Sequence, residues 1–415
     1  MTTQALLRDF TERQIERSRR RKRAVLPLRL ASAATGFAAV CVLAFTPLGA
    51  DLVRGAGSLA GGGWIAQALL GAVALDLALT LVGLPAGARM ESVNRRWRLS
   101  NRSWRLFWAD TAKGLLIGAL LLASASLGLF ALIRALPGTW WIAAAAAAAA
   151  LVFVLSFLVP VVFEPLFNRF RPLEAGPLRE RLLHVAARSG VAVRDIMVSD
   201  ASRRTNAMNA YVSGMGRTRR IVVWDTTLTQ GEPDEVAAIT AHELGHAARR
   251  DVPTGTALGA LGMIAGTLLL AGALHWRALL EAAGTPGAAD PRTLPLIIGI
   301  AAVFSTFSAP LFNAHSRRIE ARADEYALNL TRNPAAVVSA WRTLAVQSIS
   351  DLEPHPLAQL WLGTHPAIPA RIAHARGWAA AHGVPVALPD PGAAAHPRSD
   401  DDQHEHEAAD GRPDG

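Results

Sequence analysis

The chain has 415 residues, 51% of them hydrophobic and 18% charged, a balance too apolar for a soluble protein of this length and in keeping with several membrane spans. Its formal charge is +9, but no finger spacing or aromatic-studded basic domain accompanies that charge, which argues against a nucleic-acid partner. The single cysteine, Cys41, lies in an apolar run. There is thus neither a disulfide framework nor a cysteine metal site, and any metal must be held by histidine and carboxylate.

In chain order, a basic N-terminus over 1–23, with RQIERSRRRKR at 13–23, precedes the first apolar stretch. Six stretches reach the roughly 20 residues that a helix needs to cross a bilayer. They lie near Ala24 to Leu48, Trp64 to Pro85, Gly114 to Leu136, Trp140 to Phe163, Thr254 to Trp276 and Leu294 to Phe312. Lysine and arginine crowd 13–23 and 89–105, whereas the loops at 50–63, 137–139 and 277–293 are poor in them. The positive-inside rule then puts both termini and the polar segment from Glu164 to Val252 in the cytoplasm. In span two, Asp76 should face the bundle interior or water, protonated or paired, because a bare carboxylate in the bilayer costs about 2.5 to 3.5 kcal/mol.

The polar segment reads as a small mixed domain. LRERLLHVAARSG (178–190) has helical spacing and stops at Gly190. Val193 to Ser199 alternates as a strand. NAYVSGMGRTRRIVVWD (209–225) has two strand-like runs around Gly214 and Gly216, the pattern of a β-hairpin. GEPDEVAAITAHELGHAARRD (231–251) opens with proline and acids, first-turn chemistry for a helix running to about Arg250, and Pro253 marks its junction with span five. From Pro389 onward the residues show no apolar period and read as disordered.

The helix at 231–251 carries HELGH. His242 and His246, four residues apart, project from one face toward one ion, while Glu243 is rotated to address a water. Zinc is the expected metal: with three protein ligands and one open position it lowers the pKa of water from 15.7 to about 7, and a carboxylate beside it serves as general base. The third ligand must come from elsewhere. After span six, AHSRRIEARADEYAL (314–328) sets Glu320 and Asp324 four apart on one face, so one can bind metal while the other orients a ligand histidine. His315 competes as a ligand, although its place at a helix–headgroup boundary fits an interfacial role better.

With EPLFNRF (164–170), TNAMNAYVSGMGRTRRIVVWDTTL (205–228), HELGH, SRRIEARAD (316–324) and THPAIPARI (364–372) in this order, the chain resembles the integral-membrane zinc metallopeptidases of the type I CAAX prenyl protease family. It is more distantly similar to the heat-shock membrane proteases, from which LSNRSWRLFWADTAKG (99–114) separates it. The resemblance implies a mainly α fold: a polytopic helix bundle of about six spans with a cytoplasmic zinc-metallopeptidase domain containing a small β-hairpin or sheet. It makes His242, His246 and Glu320 the ligands of one zinc ion per chain, Glu243 the general base and Asp324 the carboxylate that orients a ligand. It also makes Asn209, Ala210 and Tyr211 a substrate-lining strand, with His365 and Arg371 placed near the site as donors to an oxyanion or a substrate carboxylate. Eukaryotic members usually have seven spans, and this chain shows six, beginning near the family's first cytoplasmic loop.

The segments expected on this reading are a basic N-terminus (1–23), a four-span membrane part (24–163), a catalytic segment (164–252), spans five and six (253–313), a third-ligand helix with the C-terminal helical part of the peptidase (314–384) and an acidic tail (385–415). The expected activity is hydrolysis of peptide bonds near the cytoplasmic membrane face, either CAAX-like processing or quality control. The partners are a peptide or membrane-protein substrate and membrane lipid. The competing reading is a transporter-like or inactive membrane protein that uses HELGH structurally. Oligomeric state is not encoded in any pattern here. The orientation is testable: a topology reporter within 50–60 should label as outside and one near Gly231 as inside, and the opposite labelling would overturn it.

Overall fold

A capping box begins the first helix. The Thr11 hydroxyl accepts from the Gln14 N–H at 3.2 Å, and the Gln14 side chain accepts from the Thr11 N–H at 3.0 Å. Helix α1 (Glu12–Phe45) therefore starts well before the expected Ala24. The structure, a computed structural model, describes residues 6–214 and 216–386; the tail expected to be disordered, from Pro389 on, lies outside the described residues. The basic first turns of α1 do more than set topology. Arg19 pairs with Glu353 at 2.7 Å, Lys22 with Asp351 at 3.0 Å, and Arg21 donates to the Ile349 carbonyl at 3.0 Å.

A short α2 (Pro47–Ser58) leads to α3 (Trp64–Arg96), α4 (Trp104–Ala135) and α5 (Trp140–Phe167). Helix α5 overruns the expected Phe163: Pro160 has no N–H to give, and the chain widens into a π-helical turn at Val159–Phe163 before resuming. On α3, Asp76 faces Gly118 of α4, where a Cβ would stand 3.0 Å from Asp76 Oδ1. Asp76 thus points into the helix pair, as its burial cost requires.

The four-stranded sheet has order β1-β2-β4-β3. Between β1 (Phe170–Pro172) and β2 (Asp195–Ser199) lies α6 (Pro177–Ser189), which ends at Gly190 with φ 68°. Strands β3 (Ala210–Ser213) and β4 (Arg220–Trp224) form the expected hairpin, with Tyr211 opposite Val222. Gly214 is required at the turn (φ 86°), since a Cβ there would meet the Thr218 carbonyl at 2.7 Å. Two features have no periodic signal in the sequence: the parallel pairing of β2 with β4 and the three-residue, proline-ended β1. Strand β3 is an edge strand.

Next come α7 (Asp225–Gln230) and α8 (Pro233–Ala248). The chain then turns at Arg250, which is left-handed (φ 57°), into α9 (Asp251–Ala273). The junction with this span is therefore Arg250 rather than Pro253, which sits in the first turn of α9, where its missing N–H has no partner to lose. A short α10 (Arg277–Ala282) precedes α11 (Leu294–Thr331), one unbroken helix from the apolar run through SRRIEARAD. Helices α12 (Pro334–Gln347), α13 (Pro356–Leu362) and α14 (Ile368–Ala381) complete the fold. Six helices (α1, α3, α4, α5, α9, α11) are long and apolar enough to cross a membrane, so the chain is a multi-pass membrane protein. The peptidase-side core, including Leu182, Ile196, Ile221, Leu244, Leu328 and Ile372, packs α6, the sheet, α8, α11 and α14 together.

The loop between α3 and α4 is tied to the segment leading into β3. Arg204 is bidentate to Asp110 (2.9 and 3.0 Å), Asn206 exchanges amide hydrogen bonds with Asn101, and Ser100 bridges Thr205. The Arg204 and Asp110 side chains are 16% and 11% exposed, so removing one charge strands the other in a poorly solvated place. Asp110→Asn should cost on the order of 3 kcal/mol. Thermal unfolding in detergent should show a lowered midpoint for it but not for Asp51→Asn, whose pair with Arg54 is exposed. Equal midpoints would remove the ion pair from the list of what holds this loop.

Candidate metal centre

Helix α8 begins with its own capping box, Glu232 with Glu235, and Pro233 in the first turn. Buried Glu235 also accepts from Ser339 Oγ at 2.5 Å and Thr343 Oγ1 at 2.8 Å, which fastens α8 to α12. The third residue of HELGH's interior explains the crossing with α11. A Cβ on Gly245 would stand 3.1 Å from the Tyr326 ring and 3.3 Å from Ala323 Cα, so glycine lets the two helices close up and brings Glu320 over both histidines.

The donor atoms converge. His242 Nε2 and His246 Nε2 are 3.2 Å apart, Glu320 Oε2 is 3.3 Å from the first, and Glu320 Oε1 is 3.5 Å from the second. Ligand nitrogens at zinc distances in a tetrahedral shell lie about 3.3–3.4 Å apart. The opposite ring nitrogens are already committed: His242 Nδ1 to Asp324 Oδ1 at 2.9 Å, His246 Nδ1 to Asp251 Oδ2 at 3.0 Å. With Nδ1–H given to a carboxylate on each ring, both Nε2 atoms carry lone pairs, and two lone pairs face each other across 3.2 Å with a carboxylate. Glu320 Oε2 is buried with no hydrogen-bond donor among the described residues. Such a set fits a cation. Burial works against a proton on His242, yet the neighbouring carboxylates of Asp324 and Glu320 outweigh it and lift its pKa to about 9, so the cluster draws positive charge.

The sequence of the peptidase half agrees with the geometry: a family model described as "Peptidase family M48" matches residues 172–379. The chain belongs to peptidase family M48. A second family model, "CAAX prenyl protease N-terminal, five membrane helices", matches residues 2–169. The metalloprotease YhfN of Bacillus subtilis is 32% identical over 72% of this chain and 71% of its own length. CAAX prenyl protease 1 of Saccharomyces cerevisiae is 28% identical over 52% of this chain and 51% of its own length. The crystal structure of S. mikatae Ste24p shares the fold with a TM-score of 0.76 at 21% identity, covering 88% of this chain and 89% of that one. The chain is a membrane metallopeptidase, from a family whose metal is generally zinc.

Other M48 residues singled out in the sequence are distributed as follows. Glu243, on α8, makes no side-chain hydrogen bond among the described residues, and burial pushes its carboxyl pKa up against the pull of the two histidines. His365 is exposed, with Nε2 3.3 Å from Glu320 Oε1 and Nδ1 2.8 Å from the Thr364 hydroxyl. Arg371 does not point into an open cleft. Its guanidinium is buried, bidentate to Asp324 (2.6 and 2.8 Å), and stacked on Trp341 at 3.7 Å. Just before β3, Asn209 has its backbone N–H and carbonyl held by Thr227 Oγ1 at 2.8 and 2.7 Å; on the strand, Ala210 is buried and the Tyr211 hydroxyl reaches Glu164 Oε2 at 3.3 Å. None of these three hydrogen-bonds to the His–Glu group among the described residues. His315 stands outside the group of three metal-holding side chains.

Two residues escape a reading of the sequence. Trp341, from α12, meets His242 edge-on at 5.3 Å and carries no motif. Asp251 lies five residues after His246, one too many for the same helix face. Only the left-handed turn at Arg250 brings it back to His246. If Asp251 fixes the His246 ring, Asp251→Asn should weaken metal affinity by about 10- to 100-fold. Competition with a chromogenic chelator would measure this, with Asp195→Asn as control; identical retention by the two variants would refute the role.

Proposed function

We propose that the chain is a zinc-dependent endopeptidase of the cell membrane, with one zinc per chain held by His242, His246 and Glu320, cutting peptide bonds at the cytoplasmic face. The observation that carries this is the convergence of three electron-pair donors at 3.2 to 3.5 Å while the other histidine nitrogens are bound to Asp324 and Asp251. The cytoplasmic placement rests on the arginine-rich segments at 13–23 and 89–105. Bound there, zinc supplies Lewis acidity, which brings the pKa of water to about 7 and polarises a carbonyl.

The chain's own residues do the rest. Glu243, whose carboxylate makes no hydrogen bond among the described residues, takes a proton from the attacking water as oxygen bonds to the carbonyl carbon. It then delivers that proton to the amide nitrogen as the C–N bond breaks. His365, exposed beside Glu320, donates to the developing oxyanion. Arg371 holds Asp324, and through it His242, so it positions a ligand instead of touching substrate. Asn209, its backbone held by Thr227, leads into β3, and the free edge of that strand, which carries Ala210 and Tyr211, adds an extended peptide by main-chain hydrogen bonds.

Relatives named CAAX prenyl proteases make the C-terminal peptide of a tethered protein one substrate class, and misfolded membrane protein is the other. Cleavage of a short peptide at one bond supports processing, and cleavage of membrane proteins at many bonds supports quality control. For the chemistry itself, Glu243→Gln should retain zinc and lose at least about 10²-fold in kcat/KM. Chelation should abolish cleavage in the wild type, and added zinc should restore it. Unchanged cleavage by Glu243→Gln would sink the proposal.

A further inference from the structure

Helix α11 contains Pro310. Proline has no N–H for the carbonyl four residues earlier, so the carbonyl of Thr306 is left open inside the apolar run that ends at Phe312. Within a bilayer no water reaches such a group. The indole N–H of Trp361 donates to it at 3.1 Å. Trp361 belongs to α13, in the peptidase half of the chain, and Thr306 lies about 9 Å along the helix axis before Phe312. Helix α13 is therefore tied to the apolar run of α11.

Both ends of α13 are closed by protein groups. At its start the Leu357 N–H donates to His355 Nδ1 at 3.2 Å. At its end Asn313 donates to the carbonyls of Leu360 (3.3 Å) and Trp361 (2.7 Å), and Arg317 to those of Gln359 (3.0 Å) and Gly363 (2.7 Å). Terminal carbonyls of a surface helix are ordinarily left to water; here α11 side chains take them. On α13, Leu357 and Leu362 are 60% and 59% exposed, and on α11 Phe307 and Leu311 are each 74% exposed.

We propose that α13 is an interfacial helix embedded in the leaflet on the metal-centre side, with Leu357, Trp361 and Leu362 continuing the lipid-facing surface of α11. The occupant of this surface is bilayer lipid. The helix is hydrogen-bonded to the apolar run of a membrane span, its exposed side chains are apolar, and the carbonyls of Gln359, Leu360 and Trp361 are taken by α11 side chains where a surface helix leaves them to water. The helix is coupled to the site, since Gln359 Nε2 donates to the His365 carbonyl at 2.6 Å. Given the peptidase reading above, the metal centre then opens at the bilayer surface, where a membrane-tethered peptide reaches it without leaving lipid.

The test reads depth and no cleavage, so it stands or falls apart from the catalytic proposal. Cys41 is the single cysteine. In a Cys41→Ser background, Leu357→Cys and Leu362→Cys carry a bimane label in full-length protein reconstituted into phosphatidylcholine vesicles. Spin labels on the lipid acyl chains should quench both positions as strongly as Leu311→Cys, and several-fold more strongly than Glu174→Cys on the exposed surface. Quenching by aqueous iodide alone would overturn the proposal. So would protection from both quenchers, which would show a protein partner, such as a second copy, on this face.

Discussion

The close crossing of α8 and α11 at Gly245 is the contact on which the metal centre depends. Two histidines one turn apart define a line of donors, but a cation needs a third donor at a fixed distance from both. That distance is set by how near α11 comes. Tyr326 and Ala323 press against the glycine, and Glu320 is carried to 3.3 and 3.5 Å from the two Nε2 atoms. A side chain at 245 would push α11 away and open the triangle.

Around that triangle the protein has placed more carboxylates than cations. Glu320, Asp324 and Asp251 all touch a histidine, and Glu243 stands beside them, while Arg371 is the buried positive group. Interior charges must be paired, so the imbalance is itself a demand for a cation. The arrangement is also rigid. Asp324 is gripped by both Arg371 guanidinium bonds, and Arg371 lies flat on Trp341. His242 Nδ1 is thereby held by Asp324, and His246 Nδ1 is held separately by Asp251, which leaves both Nε2 atoms for the cation.

Helix α11 serves as a common spine. Thr306, Asn313 and Glu320 are spaced by seven along it, and so are Pro310, Arg317 and Asp324. These residues share one stripe of the helix. Its first part answers to α13, its last part to the metal centre, and the change from one to the other happens where the apolar run ends. The packing of α13 and the placement of the candidate metal ligands are consequently linked through one helix.

Much of this was legible before any coordinates. Composition and apolar run lengths determine a multi-pass protein; HELGH, by helical spacing, puts two candidate ligands on one face with a glutamate beside them; Gly214 and its flanking strands determine a hairpin. These are local properties, since period, turn chemistry and charge act within a few residues. Spacing alone left Glu320 and Asp324 interchangeable, and only the packing of α11 turned one toward the Nε2 atoms and the other toward Nδ1 of His242. Asp251 was hidden because a left-handed Arg250 breaks the helical register, and Trp341 because its role exists only where α12 meets α8. The partner of the Thr306 carbonyl came from 55 residues further on. Such contacts follow from which surfaces bury one another, a long-range outcome that a single chain's periodicity does not carry.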